Sequence, residues 1–168
     1  MLKLGQTVSY GSQGVCTITE IVEKEIGGKR SSYYVLKPIY RENNTIFVPV
    51  DNEKLTGKMR SLLSKEEIEE LILSIPEEKT LWIDEDGKRR EAYREILSSG
   101  NLRGVIGVTK TLYGERKRRR EAGKKLGQQD EMLLERAESL LCDEFAQGLG
   151  IKPSEVISFI SAKLDGEK

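Results

Sequence analysis

Residues 64–76, Ser-Lys-Glu-Glu-Ile-Glu-Glu-Leu-Ile-Leu-Ser-Ile-Pro, mark the point at which the chain changes from strands to helices. Ser64 and Glu67 have the spacing of a capping box, in which each side chain accepts a hydrogen bond from the backbone N–H of the other residue. Apolar residues then follow at helical spacing until Pro76 ends the run; they are Ile68, Leu71, Ile72 and Ile75. The segment predicts a helix and divides the chain into two parts.

The part before this helix is typical of a small β-domain. Four stretches rich in Val, Ile, Thr and Tyr are separated by turn signals; they are residues 7–10, 14–26, 32–39 and 45–50. Pro49 cannot donate to a strand ladder, so we expect the last stretch to lie at a sheet edge or to end there. Residues 1–57 therefore predict a small twisted barrel or curled sheet, with residues 58–63 as a linker.

The part from residue 64 to residue 168 predicts an all-helical bundle. After the first helix, a second is expected over residues 88–98 and a third from near Asn101. Asp130 is placed to cap a fourth helix that ends at Gly148 or Gly150, and Pro153 suits the first turn of a fifth. The fold class is therefore α+β, with the two structural types in separate domains.

Charge is distributed very unevenly along a chain whose net charge is zero. Residues 88–125 contain thirteen Lys/Arg and four Glu, a net charge of +9, whereas residues 66–86 carry −8 and residues 126–168 carry −5. A cationic band between acidic flanks predicts weak binding to nucleic acid by the protein alone. Such a protein needs something else to place it on its target.

Trp82 is the only tryptophan and lies just ahead of the cationic band. A flat ring beside ammonium and guanidinium groups suits a polyanion with stackable bases, so nucleic acid is the first partner to test. The alternative is a tryptophan packed over the bundle, and the residues alone slightly favour it, although Leu81 and Ile83 are candidates to be the buried anchors instead of Trp82.

The basic runs inside the band also have two interpretations. Residues 115–121 are either the solvated end of a helix, where cations suit the dipole, or a phosphate contact, with equal weight. Lys88-Arg-Arg stands at a helix N-terminus, where cations oppose the dipole. That placement favours a functional role.

Several classes of protein are not expected from this sequence. It contains no histidine and no GxxxxGK[ST], GxSxG or HExxH motif, so we expect no enzyme, cofactor or metal. Cys16 and Cys142 lie far apart and are expected to be small buried hydrophobic residues. Neither a signal peptide nor a run of ~20 apolar residues is present, which predicts a cytoplasmic protein.

The predicted strand at residues 45–50 offers a second kind of surface. An open sheet edge can accept a strand from another protein, main chain to main chain. Ile46 and Phe47 cannot both face one small core, because side chains alternate along a strand. Whether the second face is covered by the helical part or is free to bind is left open here.

Several segments together resemble one known family. Gly5-Gln-Thr-Val-Ser-Tyr-Gly-Ser-Gln-Gly-Val-Cys-Thr-Ile, Tyr33-Tyr-Val-Leu-Lys-Pro and Ile46-Phe-Val-Pro-Val-Asp-Asn resemble the amino-terminal domain of CarD-family bacterial transcription regulators, which the transcription-repair coupling factor shares. The lone tryptophan ahead of a basic helix, Leu97-Ser-Ser-Gly-Asn, Lys110-Thr-Leu-Tyr and Glu138-Ser-Leu-Leu-Cys-Asp-Glu-Phe-Ala resemble the family's carboxy-terminal domain. The resemblance covers essentially the whole chain.

The resemblance implies an SH3-like or Tudor-like barrel that binds the β subunit of RNA polymerase, and a helical domain that contacts promoter DNA at the upstream edge of the bubble. The family's tryptophan, matched by Trp82, wedges into the minor groove and stabilises the open complex. Family contacts to polymerase map onto Lys24 and Phe47, where some relatives carry arginine. Phe47 is thus a departure, as is the acidic insert at residues 83–87.

These considerations give two sets of expected contact residues. The DNA-contacting set is Trp82, Lys88, Arg89, Arg90, Arg94, Arg116, Lys117, Arg118, Arg119, Arg120, Lys124 and Lys125. The polymerase-contacting set is Lys24, Ile46, Phe47, Val48 and Pro49.

The expected function is that of a non-enzymatic regulator, bound to the polymerase β subunit and to promoter DNA, that shifts the closed-to-open promoter equilibrium. We expect no membrane partner and take a monomer as the working state, with self-association left open. The alternative is an RNA-binding or ribosome-associated module that uses the same basic band. A third interpretation is a structural adaptor whose basic band binds an acidic protein.

Overall fold

The computed structural model describes residues 2–41 and 43–166, and the chain forms two compact units that divide between Leu62 and Leu63. The first unit contains a five-stranded antiparallel sheet, and the second contains the long helices. The predicted fold class, strands in one domain and helices in the other, is confirmed.

The sheet of the first unit has its strands in the order β4-β3-β2-β1-β5. Its strands are β1 (Thr7–Tyr10), β2 (Gly14–Ile26), β3 (Lys29–Pro38), β4 (Ile46–Pro49) and β5 (Met59–Ser61). Pro49 is the last residue of β4, which lies at one end of this order, as its missing N–H predicts. A short helix, α1 (Glu53–Thr56), precedes β5.

The β2–β3 hairpin is the longest element of the first unit. Gly27 and Gly28 form its two-residue turn with φ of +62° and +80°, and two consecutive positive φ angles are what the favoured hairpin turn requires. The inner side of the sheet packs a single core, made of Val8, Cys16, Ile18, Tyr34, Leu36, Val48 and Met59. Burial raises the pKa of the Cys16 thiol to about 11, in keeping with its place in this core.

Residues 58–63 are not the linker that the sequence predicts. Met59–Ser61 form β5 and pair with β1, and the Met59 side chain belongs to the core. A strand of three residues carries little local information, and the pairing with β1 is a long-range one. The first unit consequently extends to Leu62.

The second unit is built from helices whose local start signals are mostly those expected. The helices are α2 (Lys65–Ser74), α3 (Asp86–Ser98), α4 (Leu102–Glu121), α5 (Gln128–Leu149) and α6 (Val156–Gly166). The capping box of Ser64 and Glu67 is present, and the Asn101 side chain caps α4. Gly150 ends α5 in the left-handed conformation, with φ of +69°.

The starts of α3 and α5 differ from prediction. α3 begins at Asp86, two residues before Lys88, so Lys88 lies inside its first turn. Asp130 is not the cap of α5: Gly127 holds that position, and Asp130 is a buried residue of the first turn. The Asp130 side chain instead pairs with Arg89 of α3.

The bundle core contains most of the residues that helical spacing selects. Tyr93, Leu112, Leu134 and Phe145 are at most 1% exposed. By contrast, Ile157 of α6 and Tyr113 of α4 are 50% and 37% exposed. In the part of the chain that the structure describes, no helix has the length and apolar character of a membrane span.

Candidate nucleic-acid interface

The segment that carries Trp82 connects the 3-10 turn at Ile75–Glu77 to α3, and its backbone is fixed at several points. Lys110 of α4 donates from Nζ to the carbonyls of Ile75 and Glu78, at 2.8 and 2.6 Å. The Leu81 N–H donates to Thr111 Oγ1 at 2.9 Å, and the Tyr93 hydroxyl donates to the Leu81 carbonyl. An irregular segment is thereby attached to both α3 and α4.

The anchor of this segment is the Leu81 backbone, whereas the sequence suggested apolar side chains. The Leu81 side chain is 55% exposed, and Ile83 is only half-buried. Neither side chain is therefore a buried apolar anchor for the segment.

The Trp82 indole is half-buried and lies against cations. Its ring centroid is 4.3 Å from the guanidinium carbon of Arg89 and 5.8 Å from that of Arg119. Its Nε1–H donates to Asp84 Oδ1 at 2.9 Å. The ring is thus placed between the start of α3 and the end of α4, with part of its surface open to solvent.

Arg89, one of the residues expected to contact DNA, is only 1% exposed. Its Nε and Nη2 donate to the two carboxylate oxygens of Asp130 at 3.2 and 2.7 Å, and Nη2 also donates to Asp86 at 2.8 Å. Its Nη1 donates to the carbonyl of Ile83 at 2.9 Å. Because every donor group is engaged inside the unit, Arg89 is not placed to bind a phosphate.

The charges around Arg89 stabilise each other. Burial disfavours the cation and would lower the pKa of Arg89, but the hydrogen bonds to Asp130 and Asp86 outweigh burial and raise it. The hydrogen bond from Arg89 in turn lowers the pKa of Asp86. Both groups are therefore charged near neutral pH.

The other two cations at the start of α3 are also paired with carboxylates. We call Lys88, Arg89 and Arg90 the α3 cluster. Lys88 lies 3.3 Å from Glu85, and Arg90 lies 3.8 Å from Asp86, while Asp86 itself is in the first turn of α3. These carboxylates offset the unfavourable placement of cations at a helix N-terminus. The carboxylates of the acidic insert therefore explain how cations are accommodated at the start of α3, and no contact with DNA is needed to explain their position.

The cations at the end of α4 are less completely paired. We call Arg116, Lys117, Arg118, Arg119, Arg120, Lys124 and Lys125 the α4 cluster. Arg118 and Arg119 both pair with Glu115, and Arg116 pairs with Glu131 at 3.3 Å. Within residues 2–41 and 43–166, four members have no ion pair or hydrogen bond from the side chain; they are Lys117, Arg120, Lys124 and Lys125.

A basic depression of about 530 Å³ lies at the end of α4. Its lining includes Arg116, Arg120, Lys124 and Lys125, with Glu131 as the acidic member. Arg94, the remaining residue of the expected DNA-contacting set, is exposed and lies instead beside Met132 and Arg136. The structure thus brings Trp82 within 5.8 Å of Arg119, a member of the α4 cluster, whereas Arg94 is not among the residues that line the basic depression.

The expected polymerase-contacting residues belong to the first unit. The Phe47 side chain is 42% exposed on the edge strand β4, and Lys24 Nζ lies 3.6 Å from its ring centroid. Ile46 and Pro49 are half-buried, but Val48 is fully buried in the core and can offer only its backbone. Lys24 and Phe47, 23 positions apart in sequence, thus form one small exposed surface.

Three residues that organise the region around Trp82 were not recognised from the sequence. Asp130 matches a helix-cap pattern, Asp84 is one of three adjacent acidic residues, and Lys110 is one of many cations. Their partners lie 41, 2 and 32 to 35 residues away, so only Asp84 offered a local signal.

Comparison with known protein families agrees with both units. Residues 2–63 match the CarD-like/TRCF RID domain, and residues 70–161 match the CarD C-terminal domain. The first domain implies binding to the β subunit of RNA polymerase, and CarD-family transcription factors are non-enzymatic. Because the two matches together cover almost all of the chain, the protein belongs to the CarD family of RNA polymerase-interacting transcription regulators.

Proposed function

We propose that RNA polymerase carries this protein to promoters, where the Trp82 indole stabilises the open complex by packing against a distorted base step. The observation that supports this most directly is the position of the only tryptophan. Its ring is partly exposed at the end of the α4 cluster, 5.8 Å from Arg119, and outside the bundle core. A flat apolar ring on a surface that also carries cations is the arrangement that minor-groove wedges use.

The energy available from such a wedge is sufficient for regulation. Stacking of one base on an aromatic side chain is worth ~1–3 kcal/mol. A wedge that gives about 1.4 kcal/mol to the open complex alone shifts the closed-to-open equilibrium about tenfold. One well-placed ring is therefore enough to change promoter output.

Weak binding to free DNA is consistent with this mechanism. The protein has no net charge, and the two cations nearest the Trp82 ring, Arg89 and Arg119, are paired with carboxylates. Attachment to polymerase makes the DNA contact intramolecular. The high effective concentration of the nearby DNA then compensates for the low intrinsic affinity of the protein. The protein then acts where polymerase has already opened DNA.

The contact with the polymerase β subunit is proposed to use the surface of Lys24 and Phe47 and the main chain of β4. An edge strand offers unpaired backbone groups to a partner strand, and the exposed Phe47 ring offers apolar area. Lys24 over the ring keeps a positive charge at the same place.

The experiment measures open-complex lifetime and binding to the β subunit separately. Trp82→Ala is expected to shorten the lifetime about tenfold, since about 1.4 kcal/mol of stacking is lost, while β-subunit binding is unchanged. Phe47→Ala is expected to weaken binding to the β subunit. The protein's effect on open-complex lifetime should then fall only because less of the protein is bound to polymerase.

Leu81→Ala is the matched control for Trp82→Ala, because it removes an exposed apolar side chain from the adjacent position. Its open-complex lifetime should equal that of the wild type. An unchanged lifetime with Trp82→Ala would falsify the wedge. Enrichment of ribosomal RNA instead of polymerase in a pull-down would favour the RNA-binding alternative.

A further inference from the structure

The surface beneath the Trp82 ring is a charged group, not an apolar pocket. The Arg89 guanidinium carbon is 4.3 Å from the ring centroid, at a position where the side chain is 1% exposed. Arginine offers five N–H donors that all lie in the plane of the group, so bonds at its edges leave its faces available for stacking. A buried and fully bonded arginine can thus serve as a rigid plate for an aromatic ring.

The bonds at the edges of Arg89 come from three parts of the helical unit. Asp130 of α5 holds Nε and Nη2, at 3.2 and 2.7 Å. Asp86, in the first turn of α3, holds Nη2 at 2.8 Å. The carbonyls of Ile83 and Asp84, the two residues that follow Trp82, accept from Nη1 at 2.9 and 3.4 Å.

The same guanidinium therefore contacts both the Trp82 ring and the backbone just after it. Asp84 completes the arrangement, because its carboxylate accepts from the indole Nε1 at 2.9 Å. The backbone just before Trp82 is held at Leu81 by Thr111 and Tyr93. Ring and backbone are thus fixed relative to α3 and α5 before any DNA is present.

We propose that Arg89 is a positioning residue for Trp82: its guanidinium, clamped by Asp130 and Asp86, sets the orientation in which the indole faces DNA. The proposal rests on the wedge function and gives that wedge a structural support within this chain. A ring that is already oriented loses less conformational freedom when it meets a base step. Arg89 therefore contributes to the open complex without touching DNA.

The test uses the intrinsic fluorescence of the full chain, which Trp82 alone supplies as indole emission. Arg89→Met is expected to shift that emission to longer wavelength, to increase quenching by acrylamide and to lower the anisotropy. On the promoter it is expected to shorten open-complex lifetime roughly 2- to 10-fold, the range for loss of one immobilised side chain. Binding to the polymerase β subunit should not change.

Arg136→Met is the matched control, because it removes an arginine of α5 that lies outside the Trp82 contacts. Arg89→Lys tests whether a positive charge at this position is enough to orient the Trp82 ring. Lysine keeps the charge but has no planar face and cannot bind Asp130 with two parallel bonds. If Arg89→Lys restored wild-type emission and lifetime, a planar support would be disproved.

Two further variants keep the proposal testable if Arg89→Met does not fold. Asp84→Ala removes the bond to the indole Nε1, together with a charge near Arg118, from an exposed position, and it should increase acrylamide quenching on its own. Arg89→Met combined with Asp130→Leu removes both buried charges together and should still release the ring. Unchanged emission and quenching in the double variant would overturn the proposal, whatever the result with Asp84→Ala.

These measurements separate the positioning role from the wedge itself. The fluorescence is recorded without DNA, so a released ring supports positioning whatever Trp82 does at the promoter. If Trp82→Ala leaves the open-complex lifetime unchanged, the wedge fails. If Trp82→Ala shortens the lifetime but folded Arg89→Met does not, the wedge stands and Arg89 has no part in it.

Discussion

Lys88-Arg-Arg at the start of α3 and Glu115-Arg-Lys-Arg-Arg-Arg at the end of α4 have similar sequences and very different surroundings. In the α3 cluster one arginine is buried and the other two cations lie beside Glu85 and Asp86. In the α4 cluster four cations have no side-chain partner among the described residues. Position at a helix end explains the contrast, because cations suit a C-terminus and require carboxylates at an N-terminus.

A count of basic residues therefore overstates the number of cations that are available to bind phosphates. The band of residues 88–125 carries +9 in sequence, but part of that charge serves the fold. Arg89 contacts the Trp82 ring and pairs with Asp130, while Lys110 donates a hydrogen bond to the carbonyl of Ile75, just after α2. The charge that remains available is concentrated after residue 115.

The largest effect is expected from breaking the buried pair of the α3 cluster. Asp130→Ala leaves the Arg89 cation buried without its main partner, so the free energy of unfolding should fall by about 3–5 kcal/mol. Chemical denaturation of the full chain measures this. Glu85→Ala breaks an exposed pair and should cost less than about 1 kcal/mol; equal costs for the two variants would contradict the assignment of Arg89 as buried support.

The next effect concerns DNA affinity and compares the clusters directly. Replacing Lys117, Arg120, Lys124 and Lys125 by Gln should reduce the slope of log K against log salt by about 0.9 for each phosphate that the variant no longer neutralises. Fluorescence anisotropy with a short DNA duplex at several salt concentrations measures the slope. A combined Lys88→Gln and Arg90→Gln variant should change it less, and the reverse order would show that the α3 cluster is the main phosphate site.

A smaller effect is a pH dependence at Glu115, which is 8% exposed between Arg118 and Arg119. The hydrogen bond from Arg118 lowers the pKa of Glu115, so its stabilising contribution is full above the ordinary value of 4.5 and disappears as pH falls through the lowered value. The stability advantage of wild type over Glu115→Gln should therefore shrink between pH 7 and pH 3 in denaturation experiments. Glu121→Gln, on the same helix, is the control.

The smallest effect should come from releasing a paired cation. Glu85→Gln frees Lys88, whose partner lies 3.3 Å away in an exposed pair. Since such pairs are worth about 0.2–1 kcal/mol, DNA binding at low salt should become tighter by no more than about fivefold. Weaker binding in the same anisotropy assay would argue against competition between Glu85 and phosphate.

Much of this fold was predicted from local signals, because each of them involves only a few neighbouring residues and can be read directly from the sequence. The capping box at Ser64, the start of a helix near Asn101 and the position of Pro49 in an edge strand all agree with the structure. β5 was missed because its identity depends on pairing with β1, whose partner residues are 49 to 53 positions away in sequence. A three-residue strand has no periodicity of its own to detect.

The region around Trp82 was predicted less well, for a related reason. Sequence identifies the cations and the ring but not which cations are buried, and burial depends on partners from other helices. The bond between Arg89 and Asp130 spans 41 residues, and a carboxylate at a helix start is equally consistent with a local cap. Only the three-dimensional arrangement separates the arginine that supports the ring from the arginines that face solvent.

Lys110 gives the segment around Trp82 a property that its irregular backbone would not suggest. Its ammonium group joins the carbonyls of Ile75, Pro76 and Glu78 to the middle of α4, and Thr111 holds Leu81 one residue further along that helix. Loops usually open locally at low cost, independently of the elements they connect. Here local opening requires bonds to α4 to break, so we expect the Leu81 amide, which donates to Thr111, to exchange with solvent as slowly as the amides of the helices.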